Sequence, residues 1–244
     1  MGAAQLEIVD LTAGYGETQI IERVSFQAPA GGKLAVLGRN GVGKTTLLAT
    51  IMGLTRRWNG CIRLQDAELS HLSTSARALR GLGYVPQTRD VFPSLTVEEN
   101  LLVGLKGRPR QAIEEAYALF PRLKERRLNG AAQLSGGEQQ MLSTARSILG
   151  DPSVLLMDEP LEGLAPILCD ELMAALDQLT QRKAMTIVLV EQQIERAVRF
   201  CDDVIILERG RIAWRGAPEA LRDQDHVVEA LLGVRKLDAG GAGA

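Results

Sequence analysis

The segment Gly38-Arg39-Asn40-Gly41-Val42-Gly43-Lys44-Thr45 stands between an apolar run, LAVLG at 34–38, and an apolar-periodic run, TTLLATIMGL at 45–54. It satisfies the pattern G-x-x-x-x-G-K-[ST] in the context that gives the pattern meaning, after a buried strand and at the start of a helix. Glycines let backbone N–H groups converge on phosphate oxygens where side chains would block them, and the helix N-terminus favours the negative charge. Lys44 supplies a point charge for the β- and γ-phosphates and the Thr45 hydroxyl is a ligand for Mg²⁺. Arg39, Asn40, Val42 and Thr46 belong to the same nucleotide-binding stretch. A chain with this feature is constrained to an α/β core.

A second apolar run, SVLLMDE at 153–159, ends in two carboxylates. A continuous apolar run is what a strand buried on both faces requires. Asp158 at its end is the acidic partner for the metal or its water shell, and Glu159 just beyond is placed to orient and polarise an attacking water. These parts indicate phosphohydrolase or kinase chemistry without choosing between them, since kinases, GTPases, helicases and recombinases share such a core. No N-K-x-D guanine motif follows, which disfavours GTP.

The net charge of −2, from 28 basic and 30 acidic residues, calls for no nucleic-acid partner. Cys61, Cys169 and Cys201 are far apart and only His71 and His226 accompany them, so neither a disulfide framework nor a structural zinc site is expected. MGAAQLEIVDL lacks a basic region followed by an apolar one, and the longest apolar runs are near strand length. Neither secretion nor membrane crossing by this chain is expected.

Strands are expected near 6–12, 20–27, 61–65 and 82–85, and a helix through 75–80. Residues 88–150 hold no strand pattern, and Thr96-Val97-Glu98-Glu99 is a capping box, so a helical insert is expected there. Leu168, Leu172, Leu176 and Leu179 share one helix face. AMTIVLVE at 184–191 is a further buried strand, followed by a helix at 192–200, and 204–214 is a hairpin turning at Arg209-Gly210. The GAPEALR step begins another helix. The ending, 233–244, has a composition that need not fold.

Between the phosphate loop and the Asp-Glu strand lies Leu134-Ser135-Gly136-Gly137-Glu138-Gln139-Gln140. This string resembles the signature motif of the ABC ATPases, and the resemblance runs from about residue 6 to 232. It implies a P-loop NTPase core of ABC type, with an N-terminal antiparallel β subdomain and an inserted helical subdomain within one nucleotide-binding domain spanning 1–232. It implies ATP and Mg²⁺ as ligands, with Tyr15 stacking on adenine. Gln87 corresponds to the glutamine that senses Mg²⁺ and the γ-phosphate, Leu161 to Ala165 to the loop that crosses a dimer interface, and Gln192 to the switch position. Ser135, Gly136 and Gly137 would complete the phosphate site of a partner cassette.

Two departures stand out. The switch residue in most such cassettes is histidine; Gln192 still donates a hydrogen bond but carries no proton. Ala165 replaces the usual aspartate of the interface loop. Both departures, with LSGGEQQML, EGLAP and LVEQ, resemble the branched-chain amino acid importer branch, and a sister branch importing urea and short amides carries similar strings. The resemblance implies a second ATPase subunit (a homodimer being open to the isolated chain), two membrane permeases and an extracytoplasmic binding protein, at the cytoplasmic face of a bacterial inner membrane. The segment Asp90 to Leu95, with Phe92 and Leu95 exposed, would accept a membrane subunit's coupling helix.

Overall fold

The computed structural model describes residues 4–233. An antiparallel sheet, in the order β2-β1-β4-β5, is built from β1 (Ala4–Tyr15), β2 (Thr18–Pro29), β4 (Arg56–Leu64) and β5 (Ala67–Glu68). The central sheet runs β10-β9-β3-β8-β7-β6, from β3 (Lys33–Leu37), β6 (Leu82–Val85), β7 (Val154–Asp158), β8 (Thr186–Val190), β9 (Asp203–Glu208) and β10 (Arg211–Gly216). Its neighbours are parallel except for the terminal β9–β10 hairpin, which turns at Arg209-Gly210 as expected.

Alternate residues of the central strands feed two cores. Leu34, Val36, Leu156, Val188 and Ile205 face α1 (Lys44–Met52) and the antiparallel sheet. Ala35, Leu37, Leu155, Ile187 and Ile206 face the helical side. That side holds α3 (Val97–Val103), α4 (Ile113–Leu119), α5 (Pro121–Glu125), α6 (Gly136–Leu149), α7 (Pro166–Lys183) and α8 (Ile194–Phe200). The short helices α2 (Thr74–Leu79), α9 (Pro218–Arg222) and α10 (Asp225–Val227), the last running into a π-helical turn at Val228–Leu232, complete the set. Helix α1 is buried over eight of its nine residues, which explains its nearly all-round apolar sequence.

Residues 88–150 contain no strand beyond an isolated bridge between Thr96 and Gly130, and the Thr96–Glu99 capping box forms as read. The first two strands are longer than the stretches 6–12 and 20–27, at twelve residues each. Irregularities in their pairing, with Asp10 and Arg23 at positive φ, let the apolar residues stay on the inner face along the whole length. Strand β4 begins at Arg56 instead of 61, because Arg56, Arg57 and Asn59 pair with the far end of β1. Leu172, Leu176 and Leu179 are buried on α7, while Leu168 is only partly so. Leu95 is half-buried, in contrast to the exposed Phe92. The fully buried Asn100 explains the difference, since its side chain bonds the backbone of Phe92, Leu95 and Thr96 and folds that turn inward. The expected floppy ending lies outside the described residues, apart from Gly233.

Candidate active site

The carboxyl ends of β3, β6, β7 and β8 lie side by side, which is where open parallel sheets bind ligands. Each end delivers part of the site. After β3 comes the phosphate loop; after β6, Gln87; at the end of β7, Asp158 and Glu159; after β8, Glu191 and Gln192. Gly43 caps α1 at φ 110°, a conformation that requires glycine, and a Cβ there would press on the end of the Ile21 side chain at 2.9 Å.

Tyr15, Asn40, Gly41, Gly43, Lys44, Thr45, Thr46, Gln87, Glu159 and Gln192 line one cavity of about 410 Å³, with Ile20 and Glu162. Gly38 and Arg39 face an adjoining space shared with Asn40, Glu191 and Gln192. The Val42 side chain packs against the apolar core under the antiparallel sheet, leaving its backbone to the loop. Lys44 is buried, donates to the carbonyls of Gly38 at 2.9 Å and Arg39 at 3.2 Å, and stands 3.8 Å from Glu159. Burial pushes its ammonium pKa down, opposed by Glu159, Asp158 and Glu191.

Asp158 is completely buried beneath the loop, and its Oδ1 accepts from the Thr45 hydroxyl at 3.1 Å. Burial pushes its pKa up to about 6, with Glu159 adding to the rise while Thr45 and Lys44 oppose it. Glu159 sits at φ 49°, a left-handed conformation uncommon outside glycine. Its Oε2 accepts from Gln87 Nε2 at 3.1 Å and from Gln192 Nε2 at 2.5 Å. Gln87 also donates to Glu162 at 2.7 Å.

Ser135, Gly136 and Gly137 lie elsewhere, at the N-terminus of α6, where Ser135 and Glu138 form a reciprocal capping box. They do not line the Lys44 cavity of their own chain. A Cβ on Gly137 would come within 2.2 Å of Leu168 Cδ1, so glycine here also lets α6 lie against the start of α7. Glu191 escaped the sequence reading as a site residue, and Glu162 entered it only as a member of the 161–165 loop. Glu162 looks like any loop acid, and Glu191 like a solvated strand end; burial of the latter, at 2% exposure, is a property of the packed sheet.

The pattern of the ABC transporter family matches residues 21–162. The chain is 39% identical to the high-affinity branched-chain amino acid transport ATP-binding protein BraG of Pseudomonas aeruginosa, over 90% of this chain and 95% of that protein. It is 35% identical to the probable branched-chain amino acid transport ATP-binding protein LivF of Archaeoglobus fulgidus, over 94% of this chain and 99% of that one. Among solved structures, an ATP-binding subunit of an ABC transporter superposes with a TM-score of 0.81 at 28% identity, covering 94% and 96% of the two chains. Phosphate loop, paired strand-end carboxylates and signature helix therefore occupy one fold in one order, and the chain belongs to the ABC transporter family as an ATP-binding subunit.

Proposed function

We propose that this chain binds MgATP in the Lys44 cavity and hydrolyses it as one half of a head-to-tail pair of cassettes, powering import of branched-chain amino acids. The observation that carries the chemistry is Glu159, held by two glutamine amides beside Lys44 at the mouth of the phosphate loop. The solute class is supported by the printed names of the BraG and LivF relatives.

Asp158 Oδ2 is buried and makes no hydrogen bond, and the Gln87 amide oxygen accepts none among the described residues. With the Thr45 hydroxyl these form an all-oxygen donor set, which suits Mg²⁺ shared between a few side chains and nucleotide phosphates. Mg²⁺ bound there supplies Lewis-acid polarisation of the terminal phosphate. Lys44 and the N-terminus of α1 hold the phosphates, and Tyr15, half-exposed beside them, offers a face to the base. Glu159 orients a water in line with the γ-phosphate and takes its proton, while Gln87 and Gln192 fix the carboxylate and the second amide N–H of Gln192 bonds the phosphate side. Ser135, Gly136 and Gly137 complete the site of the partner cassette, so closure of the pair follows ATP binding and reopening follows hydrolysis.

Residues 1–232 work as one nucleotide-binding domain in this reading, with about 88–150 as its helical subdomain. A groove of about 320 Å³ that includes Met52, Tyr84, Phe92, Val103 and Arg146 takes a cytoplasmic helix of a permease. The assembly comprises this chain, a second ATPase, two permeases and an extracytoplasmic binding protein at the inner membrane. No described helix is long and apolar enough to cross a membrane.

Purification of the tagged chain from gently solubilised native membranes, with mass spectrometry of stoichiometric companions, tests this. Two multi-span permeases and a second cassette are expected, with a binding protein that takes leucine. A binding protein that takes urea or short amides would move the solute to that branch. Ribosomal or DNA-associated companions without a permease would overturn the importer reading.

A further inference from the structure

Glu191 follows β8 and is almost wholly buried, yet the Lys44 cavity does not include it. Its carboxylate accepts three backbone N–H bonds, from Leu161 at 2.8 Å on one oxygen and from Gln192 at 3.0 Å and Gln193 at 3.2 Å on the other. The Gln193 side-chain amide donates to the carbonyl of Leu161 at 3.3 Å. Both polar backbone groups of the fully buried Leu161 are therefore engaged by residues that follow β8.

A buried carboxylate is costly unless its hydrogen bonds are made, and here they all go to the main chain of two loops. Those loops are the one that carries Gln192 and the one, 161–165, that leads into α7. Leu164 near the end of the second loop and Leu168 in the first turn of α7 pack over Gly137 at the head of the signature helix. A continuous physical path thus runs from Gln192 through Glu191 and Leu161 to the signature loop.

We propose that Glu191 is a positioning residue that locks the Gln192 loop to the Leu161–Ala165 segment, so that a nucleotide phosphate engaged by Gln192 moves that segment with it. The inference rests on ATP occupying the Lys44 cavity. Its consequence is that one cassette's nucleotide state reaches the loop with which that cassette completes its partner's site.

The test uses the full chain carrying Glu159→Gln, expected to bind ATP without turning it over, and follows amide hydrogen exchange with and without MgATP. Protection is expected to rise at 44–46, at 192–194 and at 160–165. Adding Glu191→Ala should leave ATP affinity within about threefold and keep the response at 44–46, while abolishing the response at 160–165. Glu191→Gln, which keeps the shape but sets an amide N–H₂ against at least one backbone N–H, serves as the milder variant. In the otherwise native chain it should lower kcat by roughly tenfold with KM nearly unchanged. A full response at 160–165 in both Glu191 variants, or an unchanged kcat, would overturn the proposal. Absence of any ATP response at 44–46 in the parent chain would overturn the nucleotide reading and this inference with it.

Discussion

The side-chain amide of Gln192 donates a 2.5 Å hydrogen bond to Glu159 Oε2, joining the ends of two neighbouring parallel strands at the phosphate loop. This bond fixes the carboxylate without bringing a titrating group. Gln192→Ala should reduce turnover by roughly ten- to a hundredfold, the range set by losing one hydrogen bond to a charged group. Gln192→His should add an inflection near pH ~6.5 to the turnover profile that the native chain lacks, which a pH-rate series would detect.

Lys44 is the cation among Asp158, Glu159 and Glu191. Lys44→Ala removes the phosphate contact and the positive charge on which the three carboxylates act. Calorimetry should show ATP affinity falling by about a hundredfold or more, with more than one charged hydrogen bond lost.

Glu159→Gln keeps the shape and one acceptor oxygen but cannot take a proton from water. Turnover should fall by at least about a hundredfold while ATP affinity persists. Light scattering with MgATP should then show stalled closed pairs, and turnover at native rate would refute the assignment of Glu159 as base.

Asp158 faces the Thr45 hydroxyl with one oxygen and leaves the other without a hydrogen bond. Asp158→Asn should raise the Mg²⁺ concentration for half-maximal turnover by about tenfold or more, since a formal charge on the metal site is lost. A Mg²⁺ titration at saturating ATP measures it.

Ser135 and Glu138 cap α6 reciprocally. Burial pushes the Glu138 carboxyl up, but the Ser135 N–H and hydroxyl, with Arg126 and Arg122, together hold it below its ordinary value of 4.5. A carboxylate lowered in the folded state stabilises fully above its unfolded value and loses that contribution as pH falls through the folded one. Glu138→Ala should cost about 1 kcal/mol at neutral pH, and its melting curve should approach that of the native chain in acid. In mixed pairs, Ser135→Ala should depress hydrolysis in the opposite cassette's site, and damage confined to its own site would refute the head-to-tail arrangement.

The phosphate loop and the Thr96 cap were legible in the residues themselves because each closes over a few positions of chain. Glycines at 38, 41 and 43 and a Ser or Thr three residues before a Glu need only local backbone geometry to act. The buried strands at 154–158 and 186–190 announced themselves by unbroken apolar runs, whereas the 12-residue length of β1 and β2 did not, because irregular pairing breaks their alternation. Gln87, Gln192 and the signature loop were named through family resemblance, since isolated glutamines and a Ser-Gly-Gly step carry no chemistry of their own. Tertiary structure alone decided that Gln87 and Gln192 meet on one oxygen of Glu159, that Gly137 must yield space to Leu168, and that Glu191 is buried with three backbone donors around it. Apart from the Gln192 and Gln193 donors, which are local to Glu191, these contacts join residues 30 or more positions apart, and those of Glu159 and Leu161 exist because sheet order sets the ends of β6, β7 and β8 side by side. No local pattern encodes that adjacency; the burial of both sheet faces does.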